Sequence, residues 1–255
     1  MHILLVNDDG IHAPGIRALC EACVRRGHRV SVSAPHTERS ANSHKITLAE
    51  PIYTSEVDFG LPNVRAWSVS GTPADCVRLG LYELVESPVD AVISGINNGH
   101  NAGMAVHYSG TIAAAREGML NHIPSVASSV SFKRPDSMLA YLADLTVQAA
   151  EAYVHMEGAA NAVLSINAPG IEPKDLLPPV AAPLSTAGFR DRYIRRESPR
   201  AGTYFWLDGG AALEESNQGS DVAYLDAGHI TFTSLGNPCG GLDSAFVAQF
   251  AQTHV

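Results

Sequence analysis

Ile3-Leu4-Leu5-Val6-Asn7-Asp8-Asp9-Gly10 runs four apolar residues straight into two adjacent carboxylates and a glycine. A short, charge-free run of this kind reads as a strand buried on both faces, as in a parallel sheet, and its end is where open α/β folds bind ligands. Adjacent carboxylates at a strand end repel each other, and a divalent cation is a common relief. The same residues also serve as turn formers, with one Asp capping the following helix.

Outward from this stretch the pattern alternates. Residues 3–6 lead through Pro14-Gly15 to a helix over about 16–26, which Gly27 closes before a strand over 30–33. The polar segment from Pro35 to Lys45 is long enough to be a functional loop over the strand ends. Short strands are expected at 46–48 and 66–69, then a helix from Pro73 to about residue 85, opened by Thr72 as cap and Asp75 in the first turn. A strand over 89–94, a helix over 110–121, a strand over 125–129, a helix over 136–153 and a strand over 162–166 complete a doubly wound, mostly parallel, Rossmann-like α/β sheet.

The expected organisation is one domain over 1–255, with a core to about 168 and a β-rich extension from 169. In the extension, 193–196 and 203–207 flank the turn-prone Ser198-Pro199-Arg200-Ala201-Gly202. The resulting β-hairpin arm, near 190–210, has too little core of its own and is expected to pack against another subunit.

Composition excludes several classes. The chain has 255 residues, 17 Lys+Arg against 26 Asp+Glu and a formal charge of -9. With no basic run interleaved with aromatics, long nucleic acid is not an expected partner. The apolar run at 3–6 is too short for a signal peptide or membrane span, so a cytoplasmic protein with no membrane partner is expected. Cys20 and Cys23 lie in the apolar stripe of the first helix; with Cys76 and Cys239 they read as reduced and structural.

Three polar clusters follow strands: Asn7-Asp8-Asp9, Glu38-Arg39-Ser40 and Asn97-Asn98. A parallel sheet brings all three to one edge. Asp8 and Asp9 supply charge, Ser40 and Asn97 neutral oxygens, a set that suits Mg²⁺ or Mn²⁺ and lacks the imidazole and thiolate that select zinc or copper. Ser109, Gly110 and Thr111 open a helix whose amino end can cradle a phosphate, or simply cap itself.

Taken together, the segments 6–16, Gly71-Thr72-Pro73-Ala74-Asp75-Cys76, Ser94-Gly95-Ile96-Asn97-Asn98-Gly99-His100-Asn101 and Tyr108-Ser109-Gly110-Thr111 resemble the survival protein SurE family of 5'/3'-nucleotidases. The resemblance implies a divalent metal, one per subunit, held by Asp8, Asp9, Ser40 and Asn97. Asn97, Asn101, Ser109, Gly110 and Thr111 are the expected substrate contacts, with Asp8 and Asp9 catalytic and Asp9 the better placed to orient the attacking water. The implied reaction is hydrolysis of nucleoside monophosphates, with possible action on short polyphosphate, in a cytoplasmic homodimer or homotetramer. Two departures stand out. Ala41 replaces the family's usual glycine after the loop serine, and Ile230-Thr231-Phe232-Thr233-Ser234-Leu235 replaces Ile-Thr-Pro-Leu at the expected distal rim of the site.

Other classes fit less well. A haloacid-dehalogenase-like phosphatase spaces its two acids one residue apart; a receiver-like phosphoacceptor domain needs an Asp after its third strand, where this chain has Gly95-Ile96-Asn97. A dinucleotide binder would carry GxGxxG after the first strand.

Overall fold

The computed structural model describes residues 1–187, 192–208 and 217–236. Strand β1, His2–Val6, is buried along its whole length and leads into helix α1, Pro14–Arg25, and strand β2, Arg29–Pro35. The helix begins at Pro14, earlier than expected, because proline's fixed φ and missing N–H suit the first helical position. Strands β3, Thr54–Glu56, and β4, Val64–Val69, precede helix α2, Pro73–Leu79. Strand β5, Ala91–Asn98, helix α3, Gly110–Leu120, strand β6, Ser125–Val130, helix α4, Asp136–Tyr153, and strand β7, Ala162–Ala168, continue the alternation. Then come β8, Leu177–Ala181, the hairpin β9, Arg192–Ser198, and β10, Gly202–Asp208, helix α5, Asp221–Ala227, and β11, His229–Gly236.

The main sheet has the order β3-β4-β2-β1-β5-β6-β7-β11-β8. From β4 to β7 every pairing is parallel, while β3 and β11 join antiparallel to β4 and β7. The doubly wound α/β fold expected from the alternation is thus present. Side chains of β1 alternate between faces: Ile3 and Leu5 join the core under α1 and α4, and Leu4 and Val6 join that under α2. Connections leave β1 toward β2 on one side and reach β5 on the other, so the order reverses between β1 and β5. A crevice opens at such a switch point, and both strand ends carry the polar clusters.

Three expectations on element boundaries are corrected. Residues 46–48 form no strand; Thr47 instead donates through its N–H and hydroxyl to Asp75 at the start of α2, and the sheet edge is β3. The helix expected to reach residue 85 stops at Leu79, and one π-helical turn, Gly80–Leu84, follows. Asn97 and Asn98 lie within β5, not after it, beyond a register shift between Ser94 and Asn97 where the Gly95–Ile96 peptide is cis.

In the extension, β11 inserts between β7 and β8, so the segment from 169 builds on the main sheet. The hairpin forms a two-stranded sheet of its own, in the register Trp206 opposite Ile194 and Phe205 opposite Arg195. No helix among the described residues is long and apolar enough to cross a membrane. Cys20, Cys23 and Cys76 are free and buried; burial pushes the thiols of Cys20 and Cys23 up to about 12, so they are inert at neutral pH. Cys239 lies outside the described residues, as do the outermost residues of the 190–210 arm.

Candidate active site

Beyond β1 the chain turns sharply. Asn7 holds the turn from both ends, its Nδ2 donating to the Gly10 carbonyl at 2.8 Å and its Oδ1 accepting from the Gly10 N–H at 3.2 Å. The two aspartates are therefore presented on a fixed turn. The loop after β2 folds back over them, with the Arg39 N–H donating to the Asp8 carbonyl at 2.8 Å.

A cavity of about 280 Å³ lies at this switch point. Asp8, Asp9, Ser40, Asn97, Asn101 and Ser109 all line it, so six residues singled out in the sequence converge. Asp8 is only 5% exposed, and burial pushes its carboxyl above the ordinary aspartate range despite hydrogen bonds from Thr111. Asp9 is pushed up to about 6, first by burial, then by the charge of Asp8, with the Asn98 N–H at 3.2 Å from Oδ2 acting the other way. Two carboxylates so placed resist being charged together. The Asn97 Nδ2 donates to the Gly99 carbonyl at 2.7 Å, which leaves its oxygen as the free end of the amide. Ser40, exposed, donates to Glu38 Oε1 at 2.5 Å.

Gly110 and Thr111 are placed otherwise than expected. Thr111 is fully buried and engages Asp8 through its hydroxyl and its backbone amide, so the amino end of α3 braces a carboxylate of the protein. A Cβ on Gly110 would stand 2.9 Å from that of Asp8, so its bareness makes room for the acid. Ser109 caps α3, its Oγ accepting from the Ile112 N–H at 3.1 Å. Asn101 is buried, donating through its N–H to Asn167 Oδ1 and through Nδ2 to Ser129 Oγ, both at 2.9 Å.

Sequence reasoning placed Glu38 in the second polar cluster but gave it no role of its own; it lines the cavity and its charge acts on both aspartates. It gave Tyr108 no role of its own and missed Phe132, and the exposed rings of both stand on the same lining. Phe132 lies in Ser131-Phe132-Lys133-Arg134, where a lone aromatic among polar residues just past a strand was the available signal. The segment 230–235, expected at the distal rim, instead lies in β11 and lines no part of this cavity. A larger apolar groove, about 720 Å³ between α4, β7 and β11, holds none of these groups.

The donor set can be tested against a metal. No three His, Cys, Asp or Glu side chains converge as a metal group among the described residues. Two raised carboxylates with neutral Asn and Ser oxygens fit a hard, oxygen-seeking divalent cation that keeps part of its water shell, and not zinc.

The family model described as "Survival protein SurE" matches residues 3–188. A "5'-nucleotidase SurE" of Prochlorococcus marinus (strain NATL2A) is 41% identical over 235 residues, covering 88% of each chain. The protein of that name from Parasynechococcus marenigrum (strain WH8102) is 41% identical over 92% of this chain and 91% of its own. Among solved structures, the SurE protein from Aquifex aeolicus superposes with a TM-score of 0.81 at 29% identity, covering 99% of this chain and all of that one. With a matching family model over most of its length and close relatives along nearly all of it, the chain belongs to the survival protein SurE family.

Proposed function

We propose that the protein is a metal-dependent nucleotidase, hydrolysing nucleoside 5'-monophosphates, and also 3'-monophosphates and short polyphosphate, to release phosphate. The observation that carries this reading is one cavity lined by the adjacent acids Asp8 and Asp9, the neutral oxygens of Ser40 and Asn97, and two aromatic rings. The names of the relatives support it. Asp8, Asp9, Ser40 and Asn97 would hold one Mg²⁺ or Mn²⁺, which when bound supplies Lewis acidity at a phosphoryl oxygen and at the attacking water.

The chain's own residues supply the rest. Thr111 fixes Asp8, so that acid is the rigid member of the pair. Asp9 is less buried and has the freedom to orient a water and accept its proton. Asn101 and Ser109 sit where the phosphate would contact the lining. Tyr108 and Phe132 offer faces for a nucleobase, since stacking on an aromatic ring tolerates any base.

The assembly is a homodimer or homotetramer in the cytoplasm. The hairpin supports the first part: Tyr193, Phe205 and Leu207 lie on one face of it, Tyr204 and Trp206 on the other, and all five are exposed. Apolar surface on both faces of a lone ribbon is covered when another copy packs on it. Free, buried thiols accord with a reducing compartment.

The test is phosphate release from a panel of nucleoside 5'- and 3'-monophosphates and tripolyphosphate, with Mg²⁺ or Mn²⁺. Activity on 5'-monophosphates that EDTA abolishes and added metal restores is the expected result. Persistent labelling of the protein by acetyl phosphate without turnover would overturn it in favour of a phosphoacceptor.

A further inference from the structure

A second cavity, of about 370 Å³, opens on the other side of Asp9, and Asp9 with Asn98 forms the wall between the two, since both residues line both. Its chemistry has the opposite sign. His12, His36 and Arg134 line it, and Asp9 is the one carboxylate among its described lining residues. The donors have capacity to spare. Arg134 spends Nη1 on the Asn98 side-chain oxygen and, at 3.4 Å, on the Ser131 carbonyl; no other guanidinium nitrogen of it is bonded among the described residues. His36 uses Nδ1 on Ser68 Oγ at 3.1 Å, which leaves Nε2, and His12 makes no hydrogen bond among the described residues.

A guanidinium with free N–H groups flanked by two imidazoles is a recognition set for a phosphoryl group. The first cavity gives it no task, because the metal-binding oxygens there come from other residues. We propose that the second cavity receives a second phosphoryl group of the substrate while the scissile one occupies the first. This rests on the phosphomonoesterase reading above and names a preference within it. The second group is either the 3'-phosphate of a nucleoside bisphosphate or the next phosphate of a phosphoanhydride chain. Asn98, bonded to Asp9 through its N–H and to Arg134 through its side chain, links the two chambers.

Calorimetry on the full chain in EDTA tests this, with AMP, adenosine 3',5'-bisphosphate and pyrophosphate as probes, in the wild type, Arg134→Gln and the His12→Asn/His36→Asn double variant. The expected result is at least tenfold tighter binding of one two-phosphate probe than of AMP, and loss of most of that preference in both variants; the probe affected identifies the source of the second phosphate. If neither two-phosphate probe binds better than AMP, or the preference survives in both variants, the proposal is overturned. A thermal melt of each variant separates this loss from unfolding. The nucleotidase reading fails separately: no metal-dependent AMP hydrolysis, with the binding preference intact, would overturn that reading and still support the anion site.

Discussion

Asp8 and Asp9 pull against the fold when no cation joins them. Burial first, and then the charge of Asp8, lift the Asp9 carboxyl to about 6 from the ordinary 3.8. A raised carboxyl means the folded state binds more protons than the unfolded one between those values, so stability falls as pH rises through that window. Asp9→Asn should therefore stabilise the metal-free protein at pH 8 by about 1–2 kcal/mol after solvent screening, and change little at pH 4. Melting in EDTA at both pH values checks this; an equal gain at pH 4 would contradict it. Ala41 carries a different load. Its φ of 55° lies in the left-handed region, which costs a residue with a Cβ about 1–2 kcal/mol. Part of that is recovered because alanine restricts the unfolded chain. Ala41→Gly is expected to raise the melting temperature by about 1–3 °C. At this scale Asp8, Asp9 and Asn97 were legible because charge or amide groups break off apolar runs. Phe132 was not, because it reaches the cavity only when the segment past β6 turns in, and no local period records such a contact.

The loop bearing Ser40 is held by elements distant in sequence. His44 Nε2 and Arg78 Nη1 meet the nearly buried Glu117 of α3 at 2.9 and 3.0 Å, and Thr47 meets Asp75 of α2. Burial alone would raise Glu117, but His44 and Arg78 win and hold it below the usual range. Its contribution to stability is present above the ordinary glutamate range and lost as pH falls through its lowered value. Glu117→Ala should cost about 1–3 kcal/mol and speed amide exchange in residues 39–45. Unchanged exchange there would show that the loop needs no such anchor. The same tether explains a failed expectation: 46–48 has the apolar, β-branched look of a strand, but the anchors at Asp75 and Glu117 hold this stretch against α2 and α3. The doubly wound order was legible from the alternation of apolar runs with capped helices. The shifted register of β5 was not, since nothing in Ser94-Gly95-Ile96 distinguishes a continuing strand from a turn.

Across the whole molecule, the proposed assembly rests on the hairpin, and the site rests on the crevice between β1 and β5. The hairpin exposes Trp206 at 65% and Phe205 at 60%, apolar surface that a second copy would cover in the proposed assembly. Deleting residues 190–210 should lower the mass seen by light scattering; an unchanged mass and melting temperature would show that the arm is not an interface. The insertion of β11 between β7 and β8 was not legible, because a short alternating segment looks alike whether it pairs locally or returns to a distant sheet. The site, by contrast, follows from topology: Val6 and Ser94, 88 residues apart in sequence, meet because β1 and β5 are neighbours. The most direct test of the central claim, that Asp8, Asp9, Ser40 and Asn97 hold the cation on which hydrolysis depends, is AMP hydrolysis as a function of Mn²⁺ concentration in the single variants of those residues. Asp8→Asn and Asp9→Asn are expected to lower kcat by orders of magnitude at every Mn²⁺ concentration while the protein stays folded, and Ser40→Ala and Asn97→Ala to shift the Mn²⁺ dependence to higher concentration with kcat partly restored. Full activity of the Asp8→Asn/Asp9→Asn double variant, or of the wild type freed of metal, would contradict the account.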